Sequence, residues 1–206
     1  MAPRTPEILI INNAEPGVRQ FVEPLAKLVR MSSHFHFQQI ESRQLAPNPA
    51  TYVDPQLFDA VIMSASPRGD DIVACHLPLY RWLLEWTKPA FGICAGHQIP
   101  GVLFGADLVR DTQKEVGRHT VRIMRDDPIF KGFADTFEVE QQHHDAITCP
   151  SDFVVLCESD ACPVQMIRHR DRPIYTTQFH AEISNPELIR NFLKMVRSFY
   201  RDGAIR

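Results

Sequence analysis

No run of about eighteen apolar residues occurs anywhere in this 206-residue chain, so the sequence offers no transmembrane helix. The opening residues, Met1 to Glu7, put no apolar core ahead of the short Ile8–Ile11 run, and no secretory leader is expected. Positive charge is not in surplus: 22 Lys and Arg stand against 25 Asp and Glu, a net charge of −3. An electrostatic grip on nucleic acid or acidic lipid is therefore not the main business of the chain. Neither a Gly-x-Gly-x-x-Gly nor a phosphate-loop motif is present, so no nucleotide site is expected. Cysteines number five, an odd count with no CxxC pair, which favours free thiols in a reducing, cytoplasmic setting over a disulfide framework. Cys75, Cys149, Cys157 and Cys162 show no zinc spacing, and neither a metal nor a cofactor is expected. No repeat, low-complexity tract or Gly/Ser linker divides the chain. It reads as one domain over residues 1–206, long enough to bury roughly 70% of its unfolded surface.

What is present is a sequence of two textures. Ile8–Asn12 reads as a buried strand, and Val18, Phe21, Val22, Leu25, Leu28 and Val29 then fall at helical spacing, with Pro24 demanding a kink or a late start. His34–Ile40 alternates as a second strand, with His34 and His36 beside Phe35 and Phe37 read as packing rather than as ligands. Leu45–Asp54 is proline-crowded and irregular. Phe58–Met63 is a strand, Leu77–Trp86 a helix, Pro89–Ile93 a short strand, and a helix follows through Phe104. Arg68–Asp71 is expected to form a solvated loop. Beyond Asp107 come short β-like runs at Thr120–Met124, Thr136–Glu140, Phe153–Cys157, Val164–Ile167 and Ile174–Phe179. Ser184 and Glu187 have capping-box spacing ahead of a final helix whose apolar face is Leu188, Ile189, Phe192, Leu193 and Val196. Strands alternating with helices, then strands, then a helix specify an α/β layered fold around a central sheet, parallel in its first half.

Two segments carry chemistry. In Pro89-Ala-Phe-Gly-Ile-Cys-Ala-Gly-His-Gln98 an apolar strand runs into Cys94 and on into a helical pattern, with Gly92 and Gly96 flanking. Small residues permit the tight strand-to-helix turn that pushes a nucleophile out at a sheet edge. A cysteine at a helix N-terminus is favoured as thiolate, and the N–H of Ala95 can point at a developing oxyanion. A cysteine nucleophile needs a base, and the base an orienting group. Thr176-Thr-Gln-Phe-His-Ala-Glu182 supplies both: in extended chain His180 and Glu182 project to one side, so the carboxylate can set the imidazole tautomer while the other ring nitrogen faces the thiol. His143 and His144 are adjacent and point apart in extended chain, a poor metal pair.

These residues resemble a class I, triad-type glutamine amidotransferase domain over nearly the whole chain. Gly92-Ile-Cys-Ala-Gly-His-Gln98 is similar to that family's nucleophile elbow and Gln178-Phe-His-Ala-Glu182 to its His/Glu motif. Ile62-Met-Ser-Ala-Ser-Pro67 sits where the family has its oxyanion loop, Glu115-Val-Gly117 resembles a Glu-x-Gly turn, and His143-His-Asp145 a His-x-Asp segment near the glutamine pocket. The combination is most like stand-alone members related to the amidotransferase domain of GMP synthetase, and like γ-glutamyl peptide hydrolases. The resemblance implies a flavodoxin-like layered sandwich with a central, mostly parallel sheet and added antiparallel strands in the second half. It also implies hydrolysis of glutamine or a γ-glutamyl amide through a γ-glutamyl thioester, releasing ammonia or an amine. Cys94, His180 and Glu182 would be catalytic, the N–H groups of Ala95 and Ser66 would hold the oxyanion, and Gln98, His143 and Asp145 would contact substrate. Two arrangements fit the resemblance: a subunit that passes ammonia to a synthase partner, or a stand-alone hydrolase that cleaves γ-glutamyl bonds without one; neither nucleic acid nor a membrane is an expected partner. The chain departs from the family at Ala65-Ser66, usually glycine-rich, at Ala181, usually proline, and at His144, often glycine and expected to reshape the glutamine pocket. The substituted loop is the one feature that speaks for the alternative, a regulatory or binding protein on this scaffold with attenuated catalysis.

Overall fold

The computed structural model describes residues 4–32, 34–67 and 75–202. Strands β1 (Glu7–Asn12), β2 (His36–Glu41), β3 (Ala60–Met63) and β4 (Ala90–Ile93) come first, with β5 (Leu108–Val109), β6 (Glu115–Ile123) and β7 (Thr136–His143) after them. The chain continues through β8 (Ala146–Ile147), β9 (Phe153–Glu158), β10 (Met166–His169) and β11 (Ile174–Thr177). Helix α1 spans Glu23–Met31, α2 Ala95–Leu103, α3 Ala181–Ser184 and α4 Pro186–Asp202. A nine-stranded sheet runs in the order β2-β1-β3-β4-β11-β10-β9-β6-β7, and β5 pairs with β8 in a second, two-stranded sheet. From β2 to β11 every neighbouring pair is parallel; from β11 to β7 every pair is antiparallel. The change of texture at Asp107 is thus a change of pairing, and the sandwich is the layered α/β fold expected.

Period-2 alternation assigns each central strand residue to a layer. Ile8 and Ile10 of β1 pack with Leu25 and Val29 of α1 and Leu188 and Phe192 of α4. Leu9 and Ile11 face the other way, onto Tyr80, Leu83 and Trp86 and onto Ala95 and Ile99 of α2. Both faces being covered, β1, β3 and β4 read as continuous apolar runs, as parallel strands do.

Two local expectations change and one, at Pro24, holds. Leu77–Glu85 is a 3-10 rather than an α-helix, with Pro78 in its first turn. Pro24 produces the late start: α1 begins at Glu23 with the proline inside the first turn, where its missing N–H is harmless. Ser184 and Glu187 form no capping box, because Ser184 ends the separate short helix α3 and its hydroxyl accepts the Glu140 N–H at 3.0 Å. Glu187 instead pairs with Arg190 and Lys194. Several strands run longer than their apolar signal, above all β6 and β7, whose outer faces are polar. Arg68–Asp71 lies outside the described residues. Among the described residues no helix is long and apolar enough to cross a membrane.

Candidate active site

Three adjacent parallel strands deliver the site. β4 lies between β3 and β11, with Ile93 in register with Thr177 and Met63 with Gly92. The residues that follow the three carboxyl ends therefore share one sheet edge: Ser66 after β3, Cys94 after β4 and His180 after β11. That edge of a parallel sheet, ringed by helix N-termini, is where α/β folds place their ligands.

Cys94 has φ 51° and ψ −102°, a conformation sparsely populated by any residue with a Cβ. Its N–H donates to the Thr177 carbonyl at 2.8 Å, and its own carbonyl accepts from the N–H groups of His97 and Gln98, starting α2. Both flanking glycines are required by space. A Cβ on Gly96 would stand 2.4 Å from the Met63 carbonyl oxygen, and one on Gly92 would stand 1.8 Å from that of Gly96. Close packing of α2 on β3 and β4 thus holds the strained turn, and the cysteine is 5% exposed. The N–H of Ala95, in the first turn of α2, has no intrahelical partner.

His180 and Glu182 are buried, and Nδ1 of the imidazole lies 2.9 Å from the Glu182 Oε1. The pair is not formed in extended chain. His180 is the non-helical cap of α3 and Glu182 lies in the first turn of that helix, which curls the carboxylate back onto the ring. The nitrogen left over is the one available to Cys94, with which His180 is hydrogen-bonded. Burial by itself would lower the imidazole; hydrogen bonds and charge from Cys94 and Glu182 outweigh it and raise the group to about 10. Phe21 stacks on the ring at 6.0 Å.

The loop after β3 is cross-tied to the loop after β1. The Asn13 N–H donates to Ser64 Oγ at 3.0 Å, its Nδ2 donates to the Ser64 carbonyl at 2.7 Å, and Tyr80 donates its hydroxyl to Asn13 Oδ1. These ties fix Ser64, the residue that precedes Ala65 and Ser66. Ser66 is buried beside them.

Gln98, His143 and Asp145 converge as well, but behind the nucleophile. Gln98 Nε2 donates to the Asp145 carbonyl at 2.7 Å and to Gln178 Oε1 at 3.2 Å, so any contact with substrate falls to its own oxygen. His143 Nδ1 meets the same Asp145 carbonyl at 3.1 Å and its Nε2 meets Glu115 Oε2 at 3.2 Å. Arg110 lies 3.4 Å from the Asp145 carboxylate. His144 points to the surface, 3.7 Å from Asp111. His97 is buried against Thr176 Oγ1 at 2.7 Å; burial first, and then the charge of His143, lower it to about 3, which makes it a neutral core group.

Glu115, named in the sequence only as part of a turn, proves to be the hub of a second Cys–His–Glu grouping. Glu115, His143 and Cys162 bring ligand-type atoms within 4.8 Å of one another, a juxtaposition that no spacing rule could reveal, since the three come from different strands and loops. The carboxylate is already occupied: it accepts from His143, Ser159, Gln141 and Gln165, and His119 lies 3.3 Å away. Burial works to raise Glu115, but the bonds from His143 and Ser159 win and lower it. Burial pushes the Cys162 thiol up to about 11. A protonated thiol beside a saturated carboxylate is an internal ion-pair cluster, with neither the strained elbow nor the helix start that distinguishes Cys94.

The class-I glutamine amidotransferase family model matches residues 26–196. A glutamine-hydrolysing GMP synthase subunit of Pyrococcus abyssi is 31% identical over 163 residues, 76% of this chain and 86% of that protein. The corresponding protein of Methanococcus maripaludis is 29% identical over 91% of this chain and 95% of its own. Among solved structures, a candidate GMP synthase subunit from Thermoplasma acidophilum superimposes with a TM-score of 0.81 at 25% identity, covering 98% of this chain and 99% of that one. A glutamine amidotransferase of Thermotoga maritima shares the fold with a TM-score of 0.70 at 18% identity, over 98% and 87% of the two chains. With the family's elbow and His/Glu segment brought to one sheet edge, the chain belongs to the class-I glutamine amidotransferases and is an enzyme that hydrolyses the side-chain amide of glutamine or a γ-glutamyl amide.

Proposed function

We propose that Cys94 is the nucleophile of this hydrolysis, His180 its base and Glu182 the group that orients the base. The observation that carries the reading is the register of β4 with β11, which sets a strained, helix-capping cysteine against a buried imidazole whose Nδ1 is held by a carboxylate at 2.9 Å. Cys94 gives its proton to His180 and its sulfur attacks the side-chain amide carbon. The amide oxygen takes the negative charge, against the N–H groups of Ala95 and Ser66. His180 returns the proton to the departing nitrogen, the carbon–nitrogen bond breaks, and ammonia or an amine leaves a γ-glutamyl thioester. Water then attacks the thioester carbon as His180 takes its proton, the carbon–sulfur bond breaks, the proton passes to the departing sulfur, and glutamate leaves with Cys94 restored. Gln98, through its oxygen, together with the His143–Asp145 segment, borders the donor site.

The family model covers residues 26–196, and relatives of similar length are named as subunits of GMP synthase. We therefore infer that the ammonia goes to a separate synthase subunit, with glutamine as the donor. The test is glutamate release by the purified chain from glutamine and from γ-glutamyl peptides, with and without a candidate synthase, using Cys94→Ala as the blank. Turnover that vanishes in Cys94→Ala and rises with the synthase is expected. Undiminished turnover in Cys94→Ala would sink the assignment, and a preference for γ-glutamyl peptides unaffected by any synthase would replace the ammonia-donor reading with that of a stand-alone hydrolase.

A further inference from the structure

Gln178, two residues before the base, is fully buried, and its side chain ends at the nucleophile: Nε2 lies 3.8 Å from the Cys94 sulfur. Which end of that amide faces the sulfur follows from a chain of forced donors and acceptors. A backbone carbonyl can only accept, so the end of Gln98 that meets the Asp145 carbonyl at 2.7 Å must be its NH2 group. The same NH2 group meets Gln178 at 3.2 Å, and the atom it meets must be the oxygen. The NH2 of Gln178 is left facing Cys94. The base of the chain is firm, because Asp145 is also bonded to His143, which is bonded to Glu115. At the other end the Gln178 N–H donates to the Gln165 carbonyl at 2.8 Å and fixes where the side chain starts.

We propose that Gln178 is a further catalytic residue of this enzyme, donating a side-chain hydrogen bond to the Cys94 sulfur, and that Gln98 is the residue that positions it. The proposal rests on Cys94 being the nucleophile. No bond to Gln178 forms or breaks. When the thiol proton passes to His180 the sulfur becomes an anion, and the neutral contact becomes a charge-assisted one. On attack that charge moves to the amide oxygen and the contact relaxes. In hydrolysis of the thioester the sulfur leaves as an anion again, and the donor helps it leave. His180 serves the sulfur from one side as proton carrier; Gln178 serves it as a donor that carries no charge and exchanges no proton.

The experiment compares the parent with Gln178→Met, which keeps volume and removes the donor, and with Gln98→Met, which frees the amide to turn. Steady-state glutaminase kinetics and the rate of Cys94 alkylation by iodoacetamide across pH are measured well below each variant's melting temperature. In Gln178→Met, kcat is expected to fall by about 10- to 100-fold with KM changed by less than about threefold, the signature of an interaction with the reacting atom rather than with bound substrate. Alkylation at neutral pH is expected to fall about tenfold, since the attacking sulfur loses its donor. Gln98→Met should move both in the same direction by less. A folded Gln178→Met with the parent's kcat and alkylation profile overturns the proposal. If that variant does not fold, Gln178→Leu removes the donor with a smaller side chain; kcat and alkylation at the parental values there overturn it equally. Activity surviving in Cys94→Ala would instead strike at the nucleophile assignment itself.

Discussion

Replacing Glu182 by glutamine isolates the electrostatic part of the site. The change is nearly isosteric, and an amide oxygen can still accept from His180 Nδ1 across 2.9 Å, so the ring keeps its place and loses only its counter-charge. In the parent the folded state raises His180 from 6.5 to about 10. The sign follows from proton counting. Between those two pH values the folded protein holds a proton that the unfolded chain has released, so stability from this group is complete below 6.5 and is lost as pH climbs towards 10. Each pH unit in that window is worth about 1.4 kcal/mol; the part of the rise that comes from Cys94 stays in Glu182→Gln, and only the part that comes from the Glu182 charge is lost. Burial raises the Cys157 and Cys162 thiols as well, and they lose stability in the same direction at high pH. Those contributions are common to both proteins and cancel in the difference. Urea unfolding at a series of pH values should therefore give a parent stability that declines across the window more steeply than that of Glu182→Gln, by up to about 1 kcal/mol per pH unit. Turnover should fall by about 100- to 10,000-fold with the fold intact, because the imidazolium formed on attack is no longer stabilised and the tautomer no longer enforced. Parallel stability–pH curves, or a variant that keeps its kcat, would refute the account.

Other parts of the molecule yield sharper single outcomes. Gly96→Ala, whose new methyl would sit 2.4 Å from the Met63 carbonyl oxygen, should lower stability by about 1–3 kcal/mol in denaturant titration and lose most activity as α2 is pushed off β3. Tyr80→Phe removes the hydroxyl that holds Asn13 and with it the loop bearing Ser66; it should cost about 1 kcal/mol in melting experiments and lower kcat more than it alters KM. Glu115→Ala leaves His143 buried without its partner and should cost about 3–5 kcal/mol, while a chelator leaves the parent's melting temperature unchanged. A fall in melting temperature with chelator would show that the Glu115–His143–Cys162 grouping holds a metal ion rather than an internal ion pair.

The parts of this enzyme that were legible in its sequence are those whose signal is local. The elbow is written within five residues: Gly92 makes room for the helix that follows its own strand, while Gly96 lets that helix lie against Met63 of the neighbouring β3. The apolar runs of β1, β3 and β4 announce a sheet covered on both faces. The strands of the second half were legible only in part: in β6 exposed Val116 and Arg122 alternate with buried or half-buried residues, so the apolar signal covers less than the hydrogen-bonded ladder. The 3-10 winding of Leu77–Glu85 was not legible either, since apolar residues at helical spacing serve both windings over so short a span.

What the sequence withheld is what ties the site together over distance. Asn13 to Ser64, Gln98 to Asp145 and Gln178, and Glu115 to His143 join residues that no pattern of spacing connects. Each is a polar side chain in a place where an unpartnered donor or acceptor is costly, and each therefore accepts only one arrangement of its neighbours. One of these ties bears on a departure from the family pattern, the loop that follows β3. A glycine-rich loop gains its shape from backbone freedom, whereas Ala65 and Ser66 occupy a loop shaped by three bonds centred on Asn13. The anchoring of this loop comes from outside it, through Asn13 and Tyr80, so its departure from a glycine-rich composition does not by itself argue for attenuated catalysis.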